Sequence, residues 1–371
     1  MLSRLYASKT SVGSASGRKN MANMVAVGRM GALAFAQITI AEGPFMQTSF
    51  TRRDLIEPQR LRALMQRSDL WGVLQLASHV GVLLLTGTLL WLTWGSLWAV
   101  PLFIVHGIVL NFLYAGQHEL SHGTVFKTKA LNMIFGRLIG FLMIFGRDFD
   151  WIQHTAHHQH TQNWEKDGEL ARVPYTLRSY LLWMTGITYW YTRAARMVRL
   201  SRGIVLEPYI RADQHPTVIT EARWHLAGYA LIALLSLAFQ SWAAVILWLA
   251  PMIVTKPVHQ LQNTIEHLGL SHESDIFRNT RSTRTNALMR WLCWQMPYHT
   301  AHHAFPSVPF WQLKHLDAEL RGNGAEPYAM GWIEFQIEVI RKLAAKDESQ
   351  YPYDEVWIVP TKTGPRQLEA A

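Results

Sequence analysis

His154-Thr155-Ala156-His157-His158-Gln159-His160 decides how the rest of this 371-residue chain is read. Four imidazoles fall within two helical turns. His154, His157 and His158 stand at i, i+3 and i+4, positions that share one face of a helix. A packed core does not need such a cluster, and clustered imidazoles gain little in water unless something binds them. Their natural partner is a transition metal, for which neutral imidazole is the commonest protein ligand.

Three other short windows carry related patterns. His118-Glu119-Leu120-Ser121-His122 places two imidazoles at i and i+4. His299-Thr300-Ala301-His302-His303 repeats the i, i+3, i+4 spacing and its Thr-Ala filling, and Asn263-Thr264-Ile265-Glu266-His267 is followed by His272. Eleven of the 17 histidines lie in these four windows. That exceeds what one ion takes and points to two metals. An almost all-imidazole centre leaves the metal charge largely uncompensated, which suits iron and dioxygen better than redox-inert zinc. The acidic neighbours Glu119, Glu165, Asp167, Glu169 and Glu266 are placed to orient the ring N–H groups.

Composition says where such a centre would sit. The chain is 49% hydrophobic and only 16% charged, against roughly 25% charged in a soluble domain. Its 16 tryptophans suit membrane–water interfaces. The net charge of +9 comes from Lys and Arg flanking apolar runs, which favours anionic lipid surfaces over nucleic acid. The single cysteine, Cys293, excludes intrachain disulfides and multi-thiolate metal sites.

Along the chain, residues 1–50 read as a disordered or targeting leader, basic and without an acid until Glu42. Leu70 to Gln117 carries no Asp, Glu, Lys or Arg. A helical span takes about 20 residues, so this run predicts two spans, 70–92 and 97–116, turning at Gly95-Ser96. The short apolar segments 130–146 and 181–191 are expected to be interfacial or re-entrant, because a crossing at the first would separate the His windows. Trp224 to Thr255 is again uncharged and predicts a hairpin of spans 222–240 and 241–262 turning at Gln240-Ser241. The expected fold is all-α: an integral membrane domain over 51–320, four transmembrane helices, and a cytosolic helical cap holding the metals. A cytosolic segment, 321–371, follows. The basic clusters all fall on the side of the His windows, which the positive-inside bias assigns to the cytosol, at a bacterial inner membrane or endoplasmic reticulum.

These windows resemble the three histidine boxes of the membrane fatty acid desaturase/hydroxylase superfamily: H-x3-H at His118–His122, H-x2-H-H at His154–His158, and H-x2-H-H at His299–His303, over about residues 60–320. Asn263-x3-His267 is similar to a further ligand segment of the acyl desaturases. The resemblance implies a di-iron centre ligated by His118, His122, His154, His157, His158, His267, His299, His302 and His303, with Asn263 holding a metal-bound water. Glu119, Asp167 and Glu266 are expected behind the ligands. It also implies O2 as co-substrate, an acyl-lipid substrate, and a separate electron donor of ferredoxin or cytochrome b5 type. Desaturation is the expected outcome, with hydroxylation or 1-alkene-forming decarboxylation of a fatty acid as the alternative. Arg281 and Arg284, within a run with Arg278 and Arg290, are candidates for the substrate headgroup, against a lipid-facing basic surface.

Histidines outside the boxes are expected to be structural. His79 and His106 lie mid-span, where a neutral ring bonded to a neighbouring helix is expected, and His215, His225, His259 and His315 are unclustered. Two other classes compete. His118-Glu119-Leu120-Ser121-His122 also spells the H-E-x-x-H of zinc metalloproteases, but leaves the other clustered histidines unexplained. A metal transporter would need ligands near the middle of the spans rather than at their ends.

Overall fold

The computed structural model describes residues 55–163, 166–169, 176–271, 275–323 and 329–345, with the backbone of two short strands at 359–361 and 364–366. The expected leader, Glu165, His272 and most of the segment after 345 lie outside the described residues. The described chain is mostly helical, as expected.

Helix α1 (Pro58–Leu64) starts where the Glu57 carboxylate accepts the free N–H groups of Gln59 and Arg60, with Pro58 at the first helical position. The first hairpin follows: α2 (Asp69–Leu92) and α3 (Ala99–Ser121), joined through Gly95 at φ +90°. Both helices are long and apolar enough to cross a membrane. The second of them runs beyond the expected end at 116 and carries His118 within its last turn. Helix α4 (Lys129–Leu142) then bends by 101° into α5 (Arg147–His160), giving a broken span or a re-entrant pair. The bend is held by the Glu221 carboxylate, which caps α5 by accepting from the N–H groups of Asp148 (2.7 Å) and Phe149 (2.9 Å).

Short α6 (Leu177–Met184) and α7 (Ile187–Ser201) lead to α8 (His215–Ala238). The expected last span, 241–262, is broken rather than continuous. A π-helical turn (Val245–Leu249) passes into α9 (Ala250–Val254) and α10 (Lys256–Ile265). Prolines cause the break, since Pro251 and Pro257 have no N–H to give to the carbonyls four residues back. Neither α8 nor this broken segment meets the length and hydropathy of a single span that α2 and α3 meet, although Val245–Val254 is a short apolar helix.

Carbonyls of the broken segment find partners on α3, among them Leu247 O, which Pro251 leaves free. His106 Nε2 donates to Leu247 O at 2.8 Å, and its Nδ1 accepts from the Thr86 hydroxyl at 2.9 Å. Asn111 Nδ2 reaches Met252 O and Thr255 Oγ1, each at 2.8 Å. His106–Leu247 and Asn111–Met252 share one sequence offset of 141, so α3 and the broken segment run side by side in the same direction. Gly107 allows that approach, because a Cβ there would stand 2.5 Å from Pro251 O. His79 bonds Val109 O (2.9 Å) and accepts from Trp294 Nε1 (3.0 Å), tying both hairpin helices to the third histidine box. Leu84, Leu92, Trp98, Leu231, Leu234 and Leu237 remain exposed on the outer faces, an apolar girdle that water would not favour.

The chain after α10 closes over one end of these helices. It comprises α11 (Ile276–Asn279), α12 (Ala287–Leu292), α13 (His299–Ala304), α14 (Leu313–Gly322) and α15 (Trp332–Ala344). A two-residue parallel pairing of β1 (Ser282–Thr283) with β2 (Ala329–Met330) ties that closure together. Tyr180, Ile265, Leu268, Met330, Phe335 and Val339 form its apolar core.

Candidate metal centre

Four helical segments deliver the box histidines to one buried layer. The last turn of α3 carries His118 and, at its cap, His122; α5 carries His154, His157 and His158. The turn after α10 carries His267, and α13 carries His299, His302 and His303. Ligand atoms of His118, His122, His154, His158 and His302 all lie within 4.8 Å of one another, as do those of His157, His267 and His303. The ninth ring, His299, joins the second group through its Nε2, 2.8 Å from His267 Nε2.

The protons on these rings decide what the groups can hold. His157 Nδ1 faces Asp167 Oδ1 at 2.8 Å and His267 Nδ1 faces the carbonyl of Asn279 at 3.0 Å. Both oxygens only accept, so both Nδ1 atoms carry the hydrogen and a neutral ring leaves Nε2 bare. Yet the two Nε2 atoms stand 3.2 Å apart. Two lone pairs at that distance repel unless a metal ion, or a second proton on one ring, lies between them. In the other group, His154 donates from Nδ1 to Glu169 Oε1 at 2.9 Å, and its bare Nε2 lies 2.8 Å from His122 Nε2 and 3.0 Å from His158 Nε2. His118 and His302 bring their Nε2 atoms to 2.9 Å. His303 Nε2 is buried with no hydrogen-bond partner among the described residues. Converging, bare, buried imidazole nitrogens fit metal ions, and the donor set contains no thiolate.

Electrostatics agree with neutral ligands. Burial drives His122 down to about 4; burial and the neighbouring His157 take His267 to about 3. His157 goes the other way. Burial lowers it, but the Asp167, Glu169 and Glu266 carboxylates outweigh that and raise it to about 9. A proton and a metal ion therefore compete for the same His157 lone pair, and metal uptake there releases a proton. Burial also works against the Asp167 carboxylate, but the His157 ring and the N–H groups of Glu169 and Gln162 hold its pKa below the ordinary value.

The family model for fatty acid desaturases matches residues 106–335, well over half of the chain and every box histidine. The chain belongs to the fatty acid desaturase family. It is similar to the Delta(5) fatty acid desaturase fat-4 of Caenorhabditis elegans, 26% identical over 346 residues that cover 80% of this chain and 75% of that protein. It is also similar to beta-carotene 4-ketolase 3 of Haematococcus lacustris, 24% identical over 232 residues, 59% of this chain and 63% of the ketolase. This desaturase-family chain is accordingly an oxidoreductase of a family that uses iron, and its apolar helices fit a membrane protein.

Family membership also disposes of the hydrolase reading. His118 and His122 converge with three further imidazoles, and Glu119 is fully buried with its Oε1 3.4 Å from His302 Nδ1. That places Glu119 behind a ring, as Glu266 stands behind His299 at 3.5 Å. Asn263 lies one turn before His267, half-buried, with its amide 3.5 Å from Gln260 Oε1.

Arg281, expected as a headgroup candidate, is buried, and its guanidinium donates to the carbonyls of Ile265 (2.6 Å) and Leu268 (3.3 Å). It braces the turn that carries His267. Arg284 is exposed and paired with Glu334. His160 belongs to neither group. Glu169, one acid among five near the boxes, proves to be the partner of His154. The carbonyl of Asn279 was invisible to sequence reasoning because any residue supplies one.

Replacing Asp167 with Asn should weaken metal retention by about 10–100-fold, the usual cost of removing the acceptor behind a ligating imidazole. Chelator competition against the purified protein measures it. His315→Ala, at an exposed ring outside both groups, should leave metal content unchanged.

Proposed function

We propose that this protein is an O2-dependent acyl-lipid desaturase with two irons, one in each histidine group. The observation that carries the reading is the pair of neighbouring nitrogen foci, built from eight box histidines and His267 and backed by Glu119, Asp167, Glu169 and Glu266. With iron bound and reduced, such a centre supplies the oxidation of an unactivated C–H bond by O2. The chain's own contribution is to hold each ring in one tautomer and to bury the layer from bulk water. An acyl chain is favoured because the family and the Delta(5) desaturase both act on fatty acids by name. The electron donor is a separate protein, of ferredoxin or cytochrome b5 type.

The ketolase relative favours a second outcome, oxygen insertion in place of an alkene. Both outcomes start from hydrogen removal and differ in where the carbon stands; a displacement of about 1 Å can change a rate roughly a hundredfold. Expression in a host with a simple lipid profile, followed by gas chromatography–mass spectrometry, separates them. New double bonds in acyl chains are expected. Hydroxylated chains, or terminal alkenes one carbon shorter than the acid, would replace desaturation with the alternative.

We read four spans, with α8 and the broken 241–262 segment as the second hairpin and the metals at the cytosolic surface. The parallel run of α3 and the 245–255 segment supports this, because it puts the turns at Gly95 and Gln240 at one end and the histidines at the other. Tags at the two chain termini should be accessible from the same side of sealed vesicles, and tags at Gly95 and Gln240 from the other. Termini on opposite sides would rule the topology out.

A further inference from the structure

Helix α15 (Trp332–Ala344) has three faces where a helix on the rim of a water-soluble cap needs two. At about 3.6 residues per turn, Phe335, Gln336 and Val339 share one face, and it is buried. Phe335 and Val339 pack there with Tyr180, Ile265 and Leu268, so this face flanks His267. Glu334, Glu338, Arg341 and Lys342 make a second, charged face, on which Lys342 pairs with Glu338 at 2.7 Å and Glu334 with Arg284. Between the two runs a third strip, Ile333, Ile337 and Ile340, at i, i+4 and i+7. These isoleucines are 66%, 44% and 39% exposed. Single apolar residues on a surface need no explanation, but an aligned strip of three does.

The depth at which α15 begins says what covers the strip. The Trp332 ring stacks on Phe112 of α3, with centroids 6.1 Å apart, and its N–H donates to Gln262 Oε1 at 2.7 Å. Phe112 lies five residues inside the charge-free run that ends at Gln117, about 8 Å of helix rise from its edge. The first turn of α15 is thus level with the apolar length of α3, one of the two helices able to cross a membrane. Its neighbour α6 is tied to it by the Tyr180 hydroxyl, which donates to Gln336. The two residues after Tyr180, Leu181 and Leu182, are exposed as well. The apolar girdle of the long helices therefore continues onto α6 and α15. The charged face holds two acids and two bases, so the attraction to a membrane comes from the isoleucines and not from net charge.

We propose that α15 lies in the membrane surface on the histidine side, with the Ile333–Ile337–Ile340 strip among the acyl chains of that leaflet and the charged face in water. The cap is then seated on the membrane through the helix that packs beside His267. The proposal needs α3 to cross the membrane and is independent of the reaction catalysed. Full-length protein reconstituted at one chain per lipid nanodisc tests it. Cysteines introduced singly at Ile333, Ile337, Ile340 and Glu338 carry a nitroxide, with the buried Cys293 of the unsubstituted protein as the blank. Leu84→Cys, at an exposed position midway along α2, is the membrane control. Collision with oxygen, which concentrates in lipid, relative to a water-soluble nickel chelate should be several-fold higher at the three isoleucine positions than at Glu338, and should approach that at Leu84. The three positions are read independently, so the loss of one variant leaves the comparison intact. Nickel accessibility at the isoleucine positions equal to that at Glu338 would overturn the proposal. So would shielding from both reagents, which would mean that protein covers the strip. A water-exposed Leu84 would remove the membrane reading itself, and this inference with it.

Discussion

Repulsion between bare imidazole nitrogens is the constraint on which the structure depends. Asp167, Glu169 and the carbonyl of Asn279 each take a ring hydrogen at Nδ1, and each leaves an Nε2 lone pair aimed at others like it. No proton arrangement of neutral rings removes the 3.2 Å contact between His157 and His267. A cation does. The fold then has one task, to bring rings from α3, α5, the turn after α10, and α13 to a common layer and hold them there against that repulsion.

Buried polar ties perform it. Pro251 in the broken apolar segment frees Leu247 O, which His106 on α3 takes, and Asn111 takes Met252 O beside it. Each such bond is expensive to leave unmade in an apolar surrounding, about 1–3 kcal/mol. The same bonds lock α3 alongside α9, so that the helix ends carrying His118 and His267 lie on the same side. Arg281 does the equivalent at the next turn, satisfying the carbonyls of Ile265, the last residue of α10, and of Leu268 just beyond it. Trp294 completes the frame. Its ring lies where a Cβ on Gly116 would stand, 2.7 Å away, and its N–H reaches His79.

The metal groups were legible because their signal is local: i, i+3, i+4 spacing puts rings together on any helix. The first hairpin was legible because its charge-free run is long enough for two spans. His79 and His106 behave as expected, as neutral rings bonding neighbouring helices. The broken segment after residue 241 was read as a smooth helix because Pro251 and Pro257 can be tolerated in apolar helices when neighbours resatisfy the carbonyls. Only the fold shows that α3 does so. The burial of Arg281 was not legible either, because nothing in the sequence announces carbonyls waiting in the interior. Lys256 falls inside the expected span 241–262, and the neighbours that cover it include Gly186 and Tyr189, about 70 residues away in sequence.

The central claim is that the two groups of histidines hold one iron each. Metal analysis of protein produced with ample iron, by inductively coupled plasma mass spectrometry against amino-acid quantification, tests it most directly. Two irons per chain are predicted, falling to about one in a His157→Ala, His267→Ala double variant that disables the second group alone. One zinc per chain in active protein, or two irons retained by that double variant, would contradict the account.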